Sequence, residues 1–437
     1  MGGFDGLLER KLAAIGLPLA VVLPDGRRAG SDPAPVTLRL KTWGPLAHLV
    51  AGEVGKVAQD HVEGRIDLDG SPRDLMATAA RLVEDDPTHP CEPAPLAWWH
   101  DRIRGVRSRR RHAPRVDAEQ VRFHYDLQGS AGDAFYALWL DPLRVYSCAY
   151  YREAGMDLAA AQRAKLDHVC RKLMLREGER FLDVGAGWGG LLLWAAEQYG
   201  VRAHGITLSR NQHAHVLRLI DERGLAGRVS VALADYRELP EAEPWDKIAS
   251  IGMFEHVGRA GLPGYFRKIR QLLRPGGLLM NHGITTAGTR TAQLGAGMGE
   301  FIERYIFPGG ELLHVSHALR VMCEAGLEPL DVENLRPHYA RTLWDWSDAL
   351  EAKLEAARTL VPDSVVRAYR LYLAGSAMSF EQGWISLFQT LASRPTGQPG
   401  DGPVRGAQCD YPYQRGHLYR STETPCSTSS SPRPPAT

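Results

Sequence analysis

Arg180-Phe181-Leu182-Asp183-Val184-Gly185-Ala186-Gly187-Trp188-Gly189-Gly190, followed by LLLWAAEQYG, reads as a strand, a glycine turn and a helix. Gly185, Gly187 and Gly190 fit a GxGxxG pattern, whose glycines permit a tight turn and let the backbone approach a ligand closely. By itself that pattern marks only a generic nucleotide site. Asp183, just before the glycines, sharpens it: a carboxylate there repels a pyrophosphate and suits a cationic amino acid moiety. Outward from this turn, residues 117 to about 394 alternate strand-like and helix-like segments, as a doubly wound α/β sheet requires.

A second strand and turn, Leu273-Arg274-Pro275-Gly276-Gly277-Leu278-Leu279-Met280, has a form common near the end of S-adenosylmethionine-dependent methyltransferase domains. With Asp183 it favours a sulfonium cofactor over a nicotinamide dinucleotide. The acidic residue that commonly holds the ribose about 20 residues beyond the glycine turn is absent, because the second strand reads Arg202-Ala203-His204-Gly205-Ile206-Thr207-Leu208-Ser209. Thr207 and Gln212 are expected to replace it, since both donate and accept hydrogen bonds. Ala234-Asp235-Tyr236-Arg237 ends the third strand, where Asp235 would take the adenine amino group. Tyr236 would stack on the ring, its alternative being a core or rim aromatic.

The rest of the chain frames this domain. With 437 residues there is room for two or three domains and a large core without staples, and 24% charged against 44% hydrophobic residues excludes a disordered chain. The longest apolar stretch, Leu12 to Leu23, is broken by Gly16 and Pro18 and is too short to span a bilayer. With Asp5 and Glu9 ahead of it and Pro24-Asp25-Gly26 after it, it reads as a strand entering a turn and not as a secretory signal. The six cysteines form no CxxC pair or zinc spacing, a reduced, cytosolic pattern.

Residues 1–95 read as a small α+β domain. Val36-Thr37-Leu38-Arg39-Leu40 alternates with period two, and Ser71-Pro72 opens a helix with Ser71 as its N-cap. Residues 96–116 form a linker in which Arg102 to Arg115 holds seven arginines and no acid, so the formal net charge of +1 hides a local patch. That segment is either a solvated connector or a contact for lipid phosphates. Nucleic acid is disfavoured, because few aromatics interleave and no nucleic-acid-binding motif follows. Residues 395–437 turn to Pro, Gly, Ser and Thr, a tail too polar for a core, although Tyr411, Tyr413, His417 and Tyr419 suggest that part of it docks.

Seven motifs occur in order: Phe123-His124-Tyr125-Asp126-Leu127, Val145-Tyr146-Ser147-Cys148-Ala149-Tyr150, the glycine turn, Gly205-Ile206-Thr207-Leu208-Ser209, Met253-Phe254-Glu255-His256-Val257, Tyr305-Ile306-Phe307-Pro308-Gly309 and Pro337-His338-Tyr339-Ala340-Arg341-Thr342-Leu343. Together they resemble the cyclopropane-fatty-acyl-phospholipid synthases and the related mycolic acid cyclopropane synthases over residues 117 to about 394. EGRIDLDGSPRDLM also resembles the N-terminal, lipid-binding domain of the phospholipid-acting members, which the mycolic enzymes lack.

The resemblance implies a doubly wound, seven-stranded, Rossmann-like methyltransferase domain behind a small N-terminal α+β domain. It implies methylene transfer from S-adenosylmethionine to a cis double bond of an unsaturated phospholipid in a bilayer, at the inner face of the membrane, by a cytoplasmic, peripherally bound enzyme that could be a homodimer. Tyr146, Ser147, Asp183, Gly185, Gly187, Trp188, Thr207, Gln212, Asp235 and Tyr236 would surround the cofactor. A bound bicarbonate would serve as base, held by Cys148, Glu255, His282, the backbone of Ile284, and Tyr339, with Glu255 fixing its protonation state or orienting His282. Each has a plainer reading alone: an inert buried thiol for Cys148, a satisfied core or rim histidine for His282, packing for Tyr339. Tyr146, Tyr150, Phe254 and Tyr305 would line the acyl slot, or simply pack.

Two departures stand out. The family usually has Cys at Ala186 and often Thr at Gly283, so the floor of the site is expected to carry less side chain. The stretch from Thr285 to Gly299 is Gly/Ala-rich and is expected to cover the acyl slot. Relatives that make methyl-branched or methylene-bearing chains share the fold, which keeps that product as the alternative. A catalytically dead lipid-binding protein and a small-molecule methyltransferase are the readings from other classes.

Overall fold

The computed structural model describes residues 19–83, 130–289, 295–402 and 406–419. The motif at 123–127 and the arginine-rich segment at 102–115 lie outside the described residues. Near the N-terminus, β1 (Leu19–Val22), β2 (Arg28–Gly30), β3 (Val36–Leu40) and β4 (Ile66–Asp69) form a sheet of order β2-β1-β3-β4, joined by α1 (Gly44–Val50), α2 (Val54–Val62) and α3 (Pro72–Leu82). In β3 the period-two pattern buries Val36, Leu38 and Leu40 against Leu19, Val21 and Leu46 and turns Arg39 outward. Ser71 caps α3 by accepting the Asp74 amide at 3.1 Å, with Pro72 in the first turn.

The larger unit begins with α4 (Ser130–Trp139) and α5 (Leu158–Lys172). It continues as β5 (Arg180–Val184), α6 (Gly190–Tyr199), β6 (Arg202–Thr207), α7 (Arg210–Glu222), β7 (Val229–Leu233), β8 (Trp245–Ile251), α8 (Gly258–Leu272) and β9 (Leu273–Thr286). After α9 (Met298–Tyr305) and α10 (Val315–Glu324) come β10 (Glu328–Asn334), α11 (Arg336–Glu351), α12 (Leu354–Leu360), α13 (Asp363–Glu381) and β11 (Ile385–Ser393). The seven strands lie in the order β10-β11-β9-β8-β5-β6-β7; β5 to β9 run parallel and β11 antiparallel to both neighbours. The order reverses between β5 and β8, and ligands of open α/β sheets bind at the carboxyl ends of strands flanking such a switch point.

A second apolar layer covers that end. Helices α4, α11 and α13 bury Phe135, Tyr136, Trp139, Trp346 and Tyr369 in a continuous aromatic cluster, with the Tyr136 and Tyr369 hydroxyls hydrogen-bonded at 2.6 Å. The four-stranded unit rests on this layer. Arg73 pairs with Asp348 at 2.8 Å and lies 4.3 Å over the Trp344 ring, and Arg367 reaches Asp67 and the His61 carbonyl, each at 3.2 Å. Of the tail, Cys409, Tyr411 and Leu418 are buried and Arg415 pairs with Asp331, while Tyr413 and Tyr419 stay exposed. Among the described residues no helix is long and apolar enough to cross a membrane.

Candidate active site

The glycine turn follows β5 at the switch point. Gly185 and Gly187 have φ of +84° and +56°, which side chains disfavour. A Cβ on Gly190 would come within 2.9 Å of Val145 Cγ2, so this glycine lets α6 close on the preceding loop. The turn opens into a cavity of about 160 Å³ that contains every residue expected around the cofactor: Tyr146, Ser147, Asp183, Gly185, Gly187, Trp188, Thr207, Gln212, Asp235 and Tyr236.

Their hydrogen bonds refine the expected roles. Thr207 Oγ1 donates to Gln212 Oε1 at 2.8 Å and accepts the Ser209 amide at 3.2 Å, so the two residues meant to replace the ribose carboxylate also hold each other in place. Asp235 is chelated by Arg237 at 2.8 and 2.6 Å, so an adenine amino group would share that carboxylate with a guanidinium. Trp188 is buried and donates its indole N–H to Asp133 at 3.4 Å. Tyr236 meets Tyr265 edge-on with ring centroids 5.3 Å apart. Asp183 is buried, and desolvation lifts its pKa to about 7 against the opposing pull of Lys165.

Lys165 is a site residue that sequence reasoning missed. It lines the cofactor cavity, is almost wholly buried and donates to Ser147 Oγ at 2.9 Å; burial lowers its pKa to about 8. The available signal was a lysine four residues from both Ala161 and Val169, on the apolar stripe of α5.

A second, larger cavity of about 550 Å³ adjoins the first, and Tyr146, Ser147, Gly252 and His256 line both. Its volume falls in the roughly 300–1,000 Å³ range of ligand pockets. Glu255, His282, Ile284 and Tyr339 line it as well. Glu255 stands in a short 3-10 turn just after β8, and His282 and Ile284 lie near the end of β9. Glu255 Oε1 accepts the Ile284 N–H at 2.6 Å, while Glu255 Oε2 and both His282 ring nitrogens are buried with no hydrogen-bond partner among the described residues. Burial raises Glu255 to about 7 and drives His282 well below its ordinary value, so the imidazole is neutral. Gln389, in register with His282 on β11, is also buried with its amide unpartnered.

Several expectations change here. Cys148 does not line the cavity: its thiol donates to the Ala149 and Leu335 carbonyls at 3.2 and 3.9 Å, and burial raises its pKa. The Ile284 amide is committed to Glu255, and that bond, in place of one to His282, fixes the carboxyl. Of the aromatics expected in the slot only Tyr146 lines it. Tyr150 is stacked between His168 and His338 at 4.2 and 4.8 Å, and Tyr305 donates to Glu63 at 2.8 Å. The space left by Gly283 is filled, since a Cβ there would lie 1.9 Å from Phe254 Cε1. Phe254 packs against the Gly283 backbone there without itself lining the cavity.

Unpartnered polar atoms in a buried wall are a departure from the usual rule that such groups are hydrogen-bonded. A carboxyl near neutrality and a neutral imidazole can each donate one hydrogen bond, so this set fits a small oxyanion such as bicarbonate, without help from the Cys148 thiol.

The sheet order, the glycine turn at its switch point and the two adjoining cavities define an S-adenosylmethionine-dependent methyltransferase. The chain belongs to the mycolic acid cyclopropane synthetase family, whose model matches residues 112–390. It is 42% identical over 414 residues to a probable fatty acid methyltransferase of Pseudomonas putida, covering 94% of this chain and 99% of the relative. The cyclopropane synthase MmaA2 of Mycobacterium tuberculosis superposes with a TM-score of 0.60 at 36% identity, covering 63% of this chain and 98% of that one. The mycolic acid cyclopropane synthase CmaA1, solved with SAH and CTAB, gives a TM-score of 0.58 at 35% identity over 63% of this chain and 98% of its own.

Proposed function

We propose that this enzyme transfers a methylene group from S-adenosylmethionine to the cis double bond of an unsaturated acyl chain in a membrane phospholipid, forming a cyclopropane ring. The observation that carries this reading is the junction at Tyr146, Ser147, Gly252 and His256, where a largely apolar cavity meets the cofactor cavity. An isolated alkene is a weak nucleophile, so the gain comes from holding it in line with the sulfonium methyl in a dry slot. Methyl transfer leaves a carbocation on the acyl chain. A proton must then leave the new methyl group so that the ring closes before water captures the cation.

Tyr146 lines both cavities and offers a π face where positive charge develops. Ser147, held by Lys165, positions the boundary between the cavities. Glu255, His282 and Tyr339 face the slot where the proton is released, and the Ile284 amide holds Glu255. Bicarbonate bound there would supply the basic oxygen. The enzyme would reach the acyl chain in the bilayer from the water side, with the segment at 102–115 as a contact for anionic head groups.

The second reading, a methylene-bearing or, after separate reduction, a 10-methyl chain, is favoured by the similarity to a probable fatty acid methyltransferase. S-adenosylhomocysteine release that depends on unsaturated phospholipid vesicles tests the common step, and absence of turnover with bicarbonate supplied rejects it. Proton NMR of the lipid separates the products: cyclopropane protons lie upfield of the methyl region and exomethylene protons in the vinyl region.

A further inference from the structure

Five residues that line the larger cavity, Val54, Gly55, Ala58, Met76 and Ala79, lie outside the region matched by the family model. They come from α2 and α3 of the four-stranded unit, and none borders the cofactor cavity. The unit is sealed to the rest of the wall at a backbone seam. Gly55 donates its N–H to the Ala296 carbonyl at 2.9 Å, and a Cβ on Gly55 would lie 2.0 Å from the Gly297 carbonyl carbon, so two glycines touch with nothing between them. Beside the seam, Glu63 accepts the Tyr305 hydroxyl at 2.8 Å and pairs with Arg304 at 3.0 Å. All five wall residues are apolar, whereas the acidic lining residues Glu255, Glu303 and Glu311 come from the methyltransferase part.

The geometry points to the four-stranded unit as a gauge of acyl length: α2 and α3 close the end of the cavity that receives the terminal methyl segment, and the small side chains of Ala58 and Ala79 set how many methylenes beyond the double bond are admitted. This rests on the acyl-chain reading of the cavity. A phospholipid head group has to remain in contact with water, so the small apolar wall suits the methyl terminus, which is buried there without desolvating any polar group. In such a pocket one methylene more or less is worth roughly 10–200-fold in kcat/KM.

The test uses the full chain with Ala58→Phe and, separately, Ala79→Leu. Vesicles carry palmitoleoyl, oleoyl or cis-vaccenoyl phospholipid. Oleoyl extends palmitoleoyl on the methyl side of the double bond, and cis-vaccenoyl extends it on the carboxyl side. The oleoyl-to-palmitoleoyl ratio of kcat/KM is expected to fall by roughly tenfold or more, while the cis-vaccenoyl-to-palmitoleoyl ratio holds. Calorimetric binding of alkyltrimethylammonium ions from decyl to hexadecyl reads the cavity without turnover, and the longest chain accepted should shorten in both variants. A shortened alkyl limit together with a wild type that turns over no vesicle supports the gauge and rejects the acyl chemistry. Unchanged ratios and an unchanged alkyl limit, in variants that unfold and bind S-adenosylhomocysteine like the wild type, overturn the proposal, as do equal falls in both ratios.

Discussion

Replacing Glu255 with glutamine keeps the shape of the site and removes its titration. The carboxyl is raised from 4.5 to about 7, chiefly by burial, with the Ile284 N–H pulling the other way. A folded-state value above the unfolded one means that the folded chain retains a proton that the unfolded chain releases. The contribution to stability is therefore full below pH 4.5 and is lost as pH rises through about 7. The whole gap corresponds to about 3 kcal/mol, of which about 2–3 kcal/mol falls between pH 5 and pH 8. Glutamine can still accept the Ile284 amide and has no such dependence. Urea unfolding of both proteins across that range should show the variant gaining about 2–3 kcal/mol on the wild type as pH rises. Asp183 titrates in an overlapping window, raised from 3.8 to about 7, but it is present in both chains and cancels in the difference. A stability difference that stays flat with pH would refute the placement of an ionisable carboxyl in that wall. Turnover should fall about 10²–10⁴-fold with S-adenosylhomocysteine affinity unchanged, because Glu255 does not line the cofactor cavity.

Two further outcomes rest on Asp183 and on the Gly283–Phe254 contact. Asp183 ionises around pH 7, and only its carboxylate attracts the cofactor's ammonium group. Calorimetry should therefore show the ratio of S-adenosylhomocysteine affinities, wild type over Asp183→Asn, growing about tenfold from pH 6 to pH 8; a constant ratio removes Asp183 from that role. Gly283→Thr drives a side chain into the Phe254 ring and should cost about 1–3 kcal/mol, and Phe254→Ala alone about 3–5 kcal/mol. The double variant should cost at least about 1 kcal/mol less than their sum, since each change makes room for the other, and strict additivity in unfolding experiments would show that the two positions do not share a space.

What could be read from the chain was set by local chemistry. Three glycines free of Cβ at the end of a strand, Ser71 ahead of Pro72, and Val36, Leu38 and Leu40 at alternate positions each specify their own backbone, and the structure has the turn, the cap and the strand. Glu255, His282, Ile284 and Tyr339 also come together on one cavity, from the turn after β8, the end of β9 and the first turn of α11. Lost to that reading was whatever depends on a distant neighbour. The stacking of Tyr150 is set by His168 and His338, the Tyr305 hydroxyl is taken by Glu63, and α2 and α3 contribute lining residues to the larger cavity.

Gly283 shows the physical reason. Read position by position, a glycine at 283 implies less side chain around the site. A close-packed interior does not leave the volume empty, and Phe254 takes it. The same reasoning bears on the fate of the carbocation in the proposed reaction. What matters is which polar atoms reach the cavity: Glu255, His282 and Tyr339 line it, and Cys148 does not. Of the five ligands that the resemblance implies, the Cys148 thiol lies outside this lining and the Ile284 amide is bonded to Glu255. In the proposed reaction, with the Ile284 amide already bonded to Glu255, positioning a base would fall to Glu255, His282 and Tyr339, and the choice between ring closure and a methylene product would turn on those groups.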